Sequence, residues 1–148
     1  MKLILIKTLS LILALMILSG CATFKGDTEK LSDKDYENLM IGSWYMPRPK
    51  EHGRTATGIS SYTEDHNISY IAFSDLNCTT PTLTSLGNWK VIDGHLIIIV
   101  TESSQHIYLT PGDVITDKII SADHENMILQ SVNDEEHYSR TKINTCNQ

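Results

Sequence analysis

The chain has 148 residues and a formal net charge of −6, with 41% hydrophobic and 20% charged residues. This length suits one domain, and this balance of apolar and charged residues excludes a wholly disordered chain. The acidic charge also argues against nucleic acid as a partner, because phosphate binding needs a concentration of Lys and Arg. The apolar residues are unevenly spread, since positions 3–18 are almost entirely Leu, Ile, Ala and Met.

The first 20 residues have the layout of a cleaved secretory signal peptide. Lys2 and Lys7 make a basic start, and Ser19 and Gly20 are small residues at the end. The apolar core between them is about half as long as a transmembrane helix requires. A buried amphipathic helix fits less well, because no polar face interrupts the apolar run. Cleavage would remove both lysines and change the net charge from −6 to −8.

Leu18-Ser19-Gly20-Cys21 resembles the lipobox of bacterial lipoproteins at all four positions. The resemblance implies that Cys21 becomes the new N-terminus and carries acyl chains, palmitate among them, as a lipid anchor. Several acyl chains hold a protein stably where one binds only marginally. Ala22, rather than Asp, follows the cysteine. The resemblance therefore implies anchoring at the outer membrane of a bacterial cell envelope, with the domain facing the periplasm.

Two further cysteines, Cys78 and Cys146, remain once Cys21 is acylated. An exported chain meets an oxidising compartment, where an even pair of cysteines favours a disulfide. A Cys78–Cys146 bridge would close a long loop, worth about 4 kcal/mol by loop entropy. Two free thiols or a metal pair are the alternatives, although no CxxC or Cys/His spacing indicates a zinc site.

The remaining chain divides into a tether and one domain over residues 32–148. Residues 21–31 are polar and charged without an apolar period, which predicts a flexible tether. Ser32, with Asp35 three residues later, predicts the cap of a short helix that ends near Met40. Short alternating or apolar segments between turn residues then predict about nine strands. The predicted strands are Ile41–Met46, Thr55–Tyr62, Asn67–Ser74, Trp89–Ile92, His95–Val100, Gln105–Leu109, Val114–Ser121, Asn126–Ser131 and Glu136–Lys142.

Short strands about 8–12 residues apart predict an all-β fold, a small antiparallel barrel or half-open barrel. Asp93-Gly94 is the strongest hairpin signal, because both residues tolerate positive φ. Leu96–Val100 is apolar on both faces, which predicts a central strand that is covered on each side. Pro47-Arg48-Pro49 predicts a loop, because proline does not continue a strand ladder.

Gly42-Ser43-Trp44 follows the predicted helix and opens the first predicted strand. This arrangement resembles the opening of the lipocalins, and a second Gly-x-Trp, Gly87-Asn88-Trp89, precedes the Asp-Gly hairpin. The resemblance implies a lipocalin-like barrel in which Arg140, on the last strand, packs over Trp44. The Thr-Asp-Tyr-type motif of fuller lipocalins has no counterpart, which argues against a deep ligand cup. Both tryptophans are therefore expected to fill a small core.

No motif for catalysis, a cofactor or a metal emerges from the sequence. The six histidines form no HxH, HxxH or HxxxH spacing, so no two share a strand face or helix turn as metal ligands do. The GxSxG nucleophile motif, the phosphate loop and the EF-hand also have no match. We therefore predict a protein that is not an enzyme and needs neither a cofactor nor a metal.

Two functions fit these predictions. The first is a lipid-anchored binding module that assists or stabilises an envelope protein, with an edge strand such as Thr55–Tyr62 accepting a strand of the partner. The alternative is a carrier of a small apolar ligand or lipid in a lipocalin-like cavity, to which Leu96–Val100 would contribute Ile and Val side chains. The interior of the barrel decides between these hypotheses.

Overall fold

The computed structural model describes residues 31–51 and 54–144. The signal peptide, the lipobox with Cys21, the tether up to Lys30, and Cys146 lie outside the described residues, so the predictions made for them stay predictions. One compact unit spans Leu31–Gln148. Within the described part of the chain, no helix has the length and apolar character needed to cross a membrane.

A short helix, α1 (Asp33–Met40), opens the domain. Its N-terminus is a capping box, in which the Ser32 hydroxyl accepts a hydrogen bond from the Asp35 N–H and the Asp35 carboxylate accepts one from the Ser32 N–H. Tyr36 and Met40 are the buried residues of the helix. The predicted cap and end of the helix are both confirmed.

Eight strands follow the helix, each antiparallel to its neighbours, and they close into a barrel. They are β1 (Gly42–Glu51), β2 (Arg54–Tyr62), β3 (Asn67–Phe73), β4 (Pro81–Ile92), β5 (His95–Ser103), β6 (Val114–Ala122), β7 (Asn126–Ser131) and β8 (His137–Ile143). Pairing of β1 with β8 completes the closure. The predicted all-β barrel is confirmed, and it is closed rather than half-open. Because β2 pairs with both β1 and β3, the predicted free edge at Thr55–Tyr62 is wrong.

The up-and-down strand order gives the barrel two ends. The helix end carries α1 and the short connections 63–66, 93–94 and 123–125, and the loop end carries the longer connections 74–80, 104–113 and 132–136. The Asp33 carboxylate ties α1 to the helix end, since it accepts hydrogen bonds of 2.8 Å from the N–H groups of Asp93 and Gly94. Asp93 and Gly94 have φ values of 53° and 74°, so the predicted hairpin turn is confirmed.

The hydrophobic core fills the helix-end half of the barrel. On β4 every second residue from Leu83 to Val91 is buried, which is the alternation expected of a strand with one face inside. The buried core cluster consists of Tyr36, Met40, Trp44, Tyr62, Ile68, Trp89, Val91, Leu96, Ile98, Ile119, Met127 and Leu129.

The apolar segment on β5 is not covered on both sides. Leu96, Ile98 and Val100 are buried inside the barrel, but Ile97 is only half-buried and Ile99 is 41% exposed. The prediction of a central, doubly covered strand is therefore wrong. In a closed barrel the inner face alone is buried, and α1 contacts β4 and β6 rather than the outer face of β5.

Two predicted boundaries also differ from the structure. β1 continues through Pro47, which pairs with Thr57, because in the described residues β1 meets β8 only from Ser43 to Tyr45. One side of the strand at Pro47 therefore has no ladder for proline to interrupt. Gln105–Leu109 is a turn and not a strand, since the N–H groups of Tyr108 and Leu109 both donate to the Gln105 carbonyl.

Candidate functional site

Trp44, the first tryptophan of the lipocalin-like pattern, closes the helix end of the barrel. Its side chain is fully buried, and its Nε1 donates a hydrogen bond of 2.6 Å to the carbonyl of Met40 at the end of α1. Gly42 begins the strand with a φ of 119°, a backbone conformation that favours glycine. Trp44 therefore fills the core and joins the helix to the barrel.

The cation that lies over Trp44 is Lys142 and not Arg140. The Nζ of Lys142 is 5.1 Å from the centre of the Trp44 ring and donates a hydrogen bond of 3.1 Å to the Leu39 carbonyl. Lys142 is the residue directly opposite Trp44 in the pairing of β1 with β8. The predicted partner of Trp44 is therefore corrected, because the opposite residue reaches the ring and the one two positions earlier contacts other rings.

Trp89, the second tryptophan, packs inside the barrel against Tyr62. The two ring centres are 5.2 Å apart with an interplanar angle of 83°, and the His66 ring lies 5.3 Å from Trp89 on another side. Gly87 allows a close backbone approach, since a Cβ there would lie 2.5 Å from the Ile99 carbonyl oxygen. The Trp89 Nε1 is buried and has no hydrogen-bond partner in the described part of the protein.

Arg140 enters the barrel interior, where it is 5% exposed. Its Nη1 donates a hydrogen bond to the Tyr62 hydroxyl, which also hydrogen-bonds to Ser60. The guanidinium carbon lies 5.4 Å from the ring centre of Tyr138 and 5.9 Å from that of Tyr62. The signature arginine is thus a buried cation that two tyrosine rings hold inside the barrel.

Asp117, on β6, brings a carboxylate to the same region. It is 3% exposed, hydrogen-bonds to Tyr138 and is attracted by the charge of Arg140. Within the described residues, Asp117 and Arg140 form no direct ion pair. Asp117 Oδ2 and Arg140 Nε are both buried without a hydrogen-bond partner among the described residues. We call these five interior residues the polar layer: Ser60, Tyr62, Asp117, Tyr138 and Arg140.

Burial controls the protonation of the polar layer. It raises the pKa of the Asp117 carboxyl, and the hydrogen bond from Tyr138 and the charge of Arg140 offset only part of that rise. Burial also raises the pKa of the Tyr62 and Tyr138 hydroxyls, which stay neutral. Burial alone would lower the pKa of Arg140, but its neighbours Tyr62, Tyr138 and Asp117 raise it on balance. The layer therefore combines a permanent cation with a carboxyl whose charge depends on pH.

The raised pKa of Asp117 predicts a loss of stability as pH rises. A carboxyl whose pKa is higher in the folded than in the unfolded chain contributes stability below its unfolded pKa of about 4, and this is lost as pH rises through the folded pKa. The Asp117→Asn variant lacks this contribution. We expect the difference in unfolding free energy, wild type minus D117N, to fall between pH 4 and pH 8 in urea titrations. A difference that rises over this range would contradict the prediction.

The inward-facing side chains above the polar layer differ in burial around the barrel. Ile115 on β6 and Tyr138 on β8 face the core. Both strands begin at the loop end, and Ile115 precedes Asp117 by two residues as Tyr138 precedes Arg140. Both residues therefore lie in the loop-end halves of their strands. Both are half-buried, whereas Leu129, deeper in the barrel, is fully buried. Leu83 on β4 and Val100 on β5 also face inward toward the loop end, and they are buried. The inward side chains above the polar layer are therefore less covered on β6 and β8 than on β4 and β5.

A separate cavity of about 300 Å³ lies at the helix end, between α1, the 63–66 turn and β4. Its size is at the lower limit of small-molecule sites, which is about 300 Å³. The Lys34 Nζ and a Glu37 carboxylate oxygen are 3.4 Å apart, so part of its charge is already paired. The lining residues are Lys34, Glu37, Asn38, Ile41, Glu64, His66 and Trp89.

Of the three cysteines, Cys78 is the one that lies in the described residues. Cys78 is half-buried, with its Sγ 3.9 Å from the Thr57 hydroxyl oxygen. Because Cys146 and Cys21 lie outside the described residues, the disulfide and the lipidation stay predictions. In residues 31–51 and 54–144, no group of three or more His, Cys, Asp or Glu side chains is placed to hold a metal ion.

Sequence reasoning named Arg140 but missed its companions in the polar layer. Asp117 alternates with Ile115 and Ile119 on β6, and Tyr138 precedes Arg140 by two residues on β8. A period of two along each strand places these polar side chains on the core face. That signal was available, because a charged residue in phase with buried apolar residues marks a buried polar site.

Comparisons with known proteins identify the fold. No protein-family model matches the chain, and no curated protein is similar to it in sequence. Among solved structures, a lipocalin-like protein from Bacteroides uniformis aligns with a TM-score of 0.51 and 14% identity, over 71% of this chain and 99% of that chain. The chain therefore has a lipocalin-like fold, as its resemblance implied.

Two further solved structures align over part of their length. A biogenic amine-binding protein has a TM-score of 0.42 and 16% identity, over 75% of this chain and 66% of that one. The tryptamine complex of the amine-binding protein of Rhodnius prolixus has a TM-score of 0.41 and 16% identity, over 75% of this chain and 65% of that one. The chain thus spans slightly under two thirds of these longer proteins.

Proposed function

We propose that the protein binds a small ligand in the loop-end half of its barrel, with the polar layer holding one polar group of that ligand. The observation that carries this proposal is the pair of buried atoms without a partner, Asp117 Oδ2 and Arg140 Nε. Buried polar groups are nearly always hydrogen-bonded, and an unsatisfied one costs about 1–3 kcal/mol. A ligand group that donates to the carboxylate and accepts from the guanidinium would satisfy both atoms.

The surroundings of the polar layer define the body of this ligand. Ile115 offers apolar surface above the layer, and the ring of Tyr138, which belongs to the layer, offers aromatic surface. Tyr70, half-buried on β3, lies across Gly58, where a Cβ would be 2.6 Å from the Tyr70 ring. The ligand we propose therefore has an apolar or aromatic body and a neutral or zwitterionic head with both a donor and an acceptor. This replaces the wholly apolar ligand that the sequence suggested.

We further propose that the domain works at a bacterial envelope. The supporting features are the signal-like first 20 residues and the lipobox at Leu18–Cys21, which together predict lipidation of Cys21 and an outer-membrane location facing the periplasm. The hypothesis of an envelope protein partner loses its proposed contact, because every strand of the barrel is paired on both sides. Ligand binding is therefore the hypothesis that we carry forward.

Native mass spectrometry of the full chain, isolated from its own cells in mild detergent, tests ligand binding. We expect wild type to carry a small-molecule adduct, Asp117→Asn to lose most of it, and Ser139→Ala, on the exposed face of β8, to keep it. The expected loss is at least about tenfold in occupancy, since a hydrogen bond to a buried charged group is worth about 1.5–3 kcal/mol. Wild type without an adduct, or equal occupancy in all three proteins, would contradict the proposal.

The helix-end cavity is a second candidate ligand site, favoured by the unpartnered Nε1 of Trp89 on its wall. The Trp89→Phe variant removes this N–H and leaves the polar layer intact. Loss of the adduct in W89F with retention in D117N would move the ligand to the helix end. Loss in D117N with retention in W89F is the result that our proposal expects.

A further inference from the structure

The most exposed large apolar side chains all lie at one end of the barrel. Among the described residues, those more than half exposed are Leu76 at 55%, Ile107 at 84%, Tyr108 at 69%, Val114 at 59% and Val132 at 52%. Leu76, Ile107, Tyr108 and Val132 belong to the three loop-end connections, and Val114 is the first residue of β6, beside one of them. We call these five residues the apolar rim. Together they lie on the described connections of the loop end, on the same side of the barrel as the proposed ligand site.

The connections at the helix end differ in composition from those at the loop end. The three helix-end connections, 63–66, 93–94 and 123–125, contain five acidic residues and no large apolar residue. The first turn of α1 adds Asp33 and Asp35. The loop-end connections also contain five acidic residues, so the connections of the two ends differ in exposed hydrocarbon rather than in the number of acidic groups.

The tip of the rim is held in shape by its own hydrogen bonds. Ile107 and Tyr108 lie in the tight turn that the Gln105 carbonyl organises. The Thr110 hydroxyl donates to the His106 carbonyl at 3.0 Å, and this bond braces the turn from the other side. Two large apolar side chains are thus presented to solvent on an ordered loop, and burying them would cost little additional ordering.

Three of the five carboxylates in the loop-end connections accept hydrogen bonds from backbone N–H groups of their own loops. The Asp75 carboxylate accepts hydrogen bonds from the N–H groups of Thr79 and Thr80. Asp113 accepts one from the Thr110 N–H at 2.7 Å, and Asp134 one from the Glu136 N–H at 3.0 Å. These carboxylates do not project with the rim. The two exposed glutamates, Glu135 and Glu136, do face solvent beside Val132.

We propose that the apolar rim docks the barrel, mouth first, onto the surface of a lipid bilayer. Exposed apolar side chains on three neighbouring connections fit the bilayer interface, because burial of hydrocarbon there needs no complementary partner surface. A protein partner or a second copy would instead need a continuous complementary surface of about 1,000 Å² or more. Tyr108 adds an aromatic side chain with a polar tip, the type that is enriched at membrane interfaces. The charge arrangement agrees, because exposed carboxylates without a hydrogen bond in the described residues are more numerous in the helix-end connections (Glu64, Asp65, Asp93 and Glu125) than in the loop-end connections (Glu135 and Glu136).

This inference does not rest on the ligand site or on the lipid anchor. The predicted anchor would, however, keep the domain beside a bilayer, so that a weak rim contact is enough. Docking mouth first would also open the barrel interior directly to the membrane. A ligand with an apolar body could then pass between bilayer and barrel without crossing water.

Sedimentation of the isolated domain, residues 31–148, with phosphatidylcholine vesicles tests the rim. This segment contains the closed barrel and its whole core, so it is suited to study without the predicted anchor. We expect wild type to bind the vesicles and Ile107→Ser/Tyr108→Ser to reduce the partition coefficient by about tenfold or more. The matched control is Ile92→Ser/Ile128→Ser, which removes two side chains that are 42% and 39% exposed away from the rim. This control should bind as wild type does.

Other outcomes overturn the proposal. Absence of wild-type binding, or an equal loss in the control variant, would show that the rim is not a membrane contact. A rim-dependent dimer in light scattering without vesicle binding would assign the rim to a second copy.

Binding should persist at high salt and weaken when anionic lipid is added, because the contact is apolar and Glu135 and Glu136 lie beside it. Strictly salt-sensitive binding would contradict an apolar contact. Unchanged circular dichroism of each variant serves as the folding control.

Discussion

Replacing Trp44 with alanine should lower the free energy of unfolding of the domain by about 3–5 kcal/mol, the range for a large aromatic residue removed from a core. Trp44 is fully buried and connects three elements: its own strand, α1 through the hydrogen bond to Met40, and β8 through Lys142. A cavity at this junction cannot collapse easily, because the closed barrel restrains its walls. Since single domains are stable by only about 5–15 kcal/mol, W44A should lose a large fraction of the stability of the domain.

Urea unfolding followed by circular dichroism measures this effect without relying on tryptophan fluorescence. Trp44→Phe separates packing from hydrogen bonding, because it keeps most of the ring but leaves the Met40 carbonyl without its donor. We expect W44F to lose about 1–2 kcal/mol. Ile128→Ala, at a 39% exposed position on the outer wall, is the control and should change stability by less than about 1 kcal/mol. A loss below 1 kcal/mol in W44A would contradict the central role of this residue.

The parts of the fold that local chemistry determines were predictable from sequence. The capping box at Ser32 fixes the start of α1, and the Asp93-Gly94 turn fixes the β4–β5 hairpin. Each depends on residues within a few positions of one another, where side-chain chemistry alone selects the backbone conformation. The sequence predicted the class of fold, a small antiparallel barrel, but not the number of strands. Several segments have patterns that fit either a strand or a turn.

The errors occurred where the closed barrel overrides local preference. Gln105–Leu109 alternates like a strand but turns, because its backbone hydrogen bonds are made within the segment. The start of β4 was missed, since its inward residues include Ser85 and Gly87 rather than a row of large apolar side chains. Pro47 remains in a strand because one of its flanks has no paired strand. The start of β4 and the pairing of Pro47 depend on strands that are distant in the sequence, so a window of ten residues does not predict them.

The candidate site was half predictable. Arg140 was identified from its place on the last strand, but its predicted partner was Trp44 and its actual partners are Tyr62 and Tyr138. Strand register decides this difference, since Lys142 and not Arg140 lies opposite Trp44. Register between the first and last strands depends on how the whole barrel closes. A sequence without aligned relatives contains no direct signal for it.

Replacing Arg140 with methionine should lower the free energy of unfolding by about 3–5 kcal/mol, the usual cost of removing one partner from a buried charge pair. The change leaves Asp117 buried without its neighbouring positive charge, and it leaves the Tyr62 hydroxyl without its donor. The cost should grow from pH 5 to pH 8. At the lower pH Asp117 can take up a proton, and a neutral carboxyl has no need of a counter-charge.

A double-mutant cycle separates this electrostatic cost from lost packing. Arg140→Met/Asp117→Leu removes both charges and fills the layer with apolar side chains, so it should be more stable than R140M alone, by about 1–4 kcal/mol, despite carrying one more substitution. The double variant should also lose the pH dependence, because no buried carboxyl remains. If R140M and the double variant are equally unstable at every pH, the polar layer is held by packing and its charges contribute nothing. Recovery in the double variant would instead show that the Asp117 charge left without Arg140 carries the cost, and a double variant more stable than wild type would show that wild type retains both charges at the expense of stability.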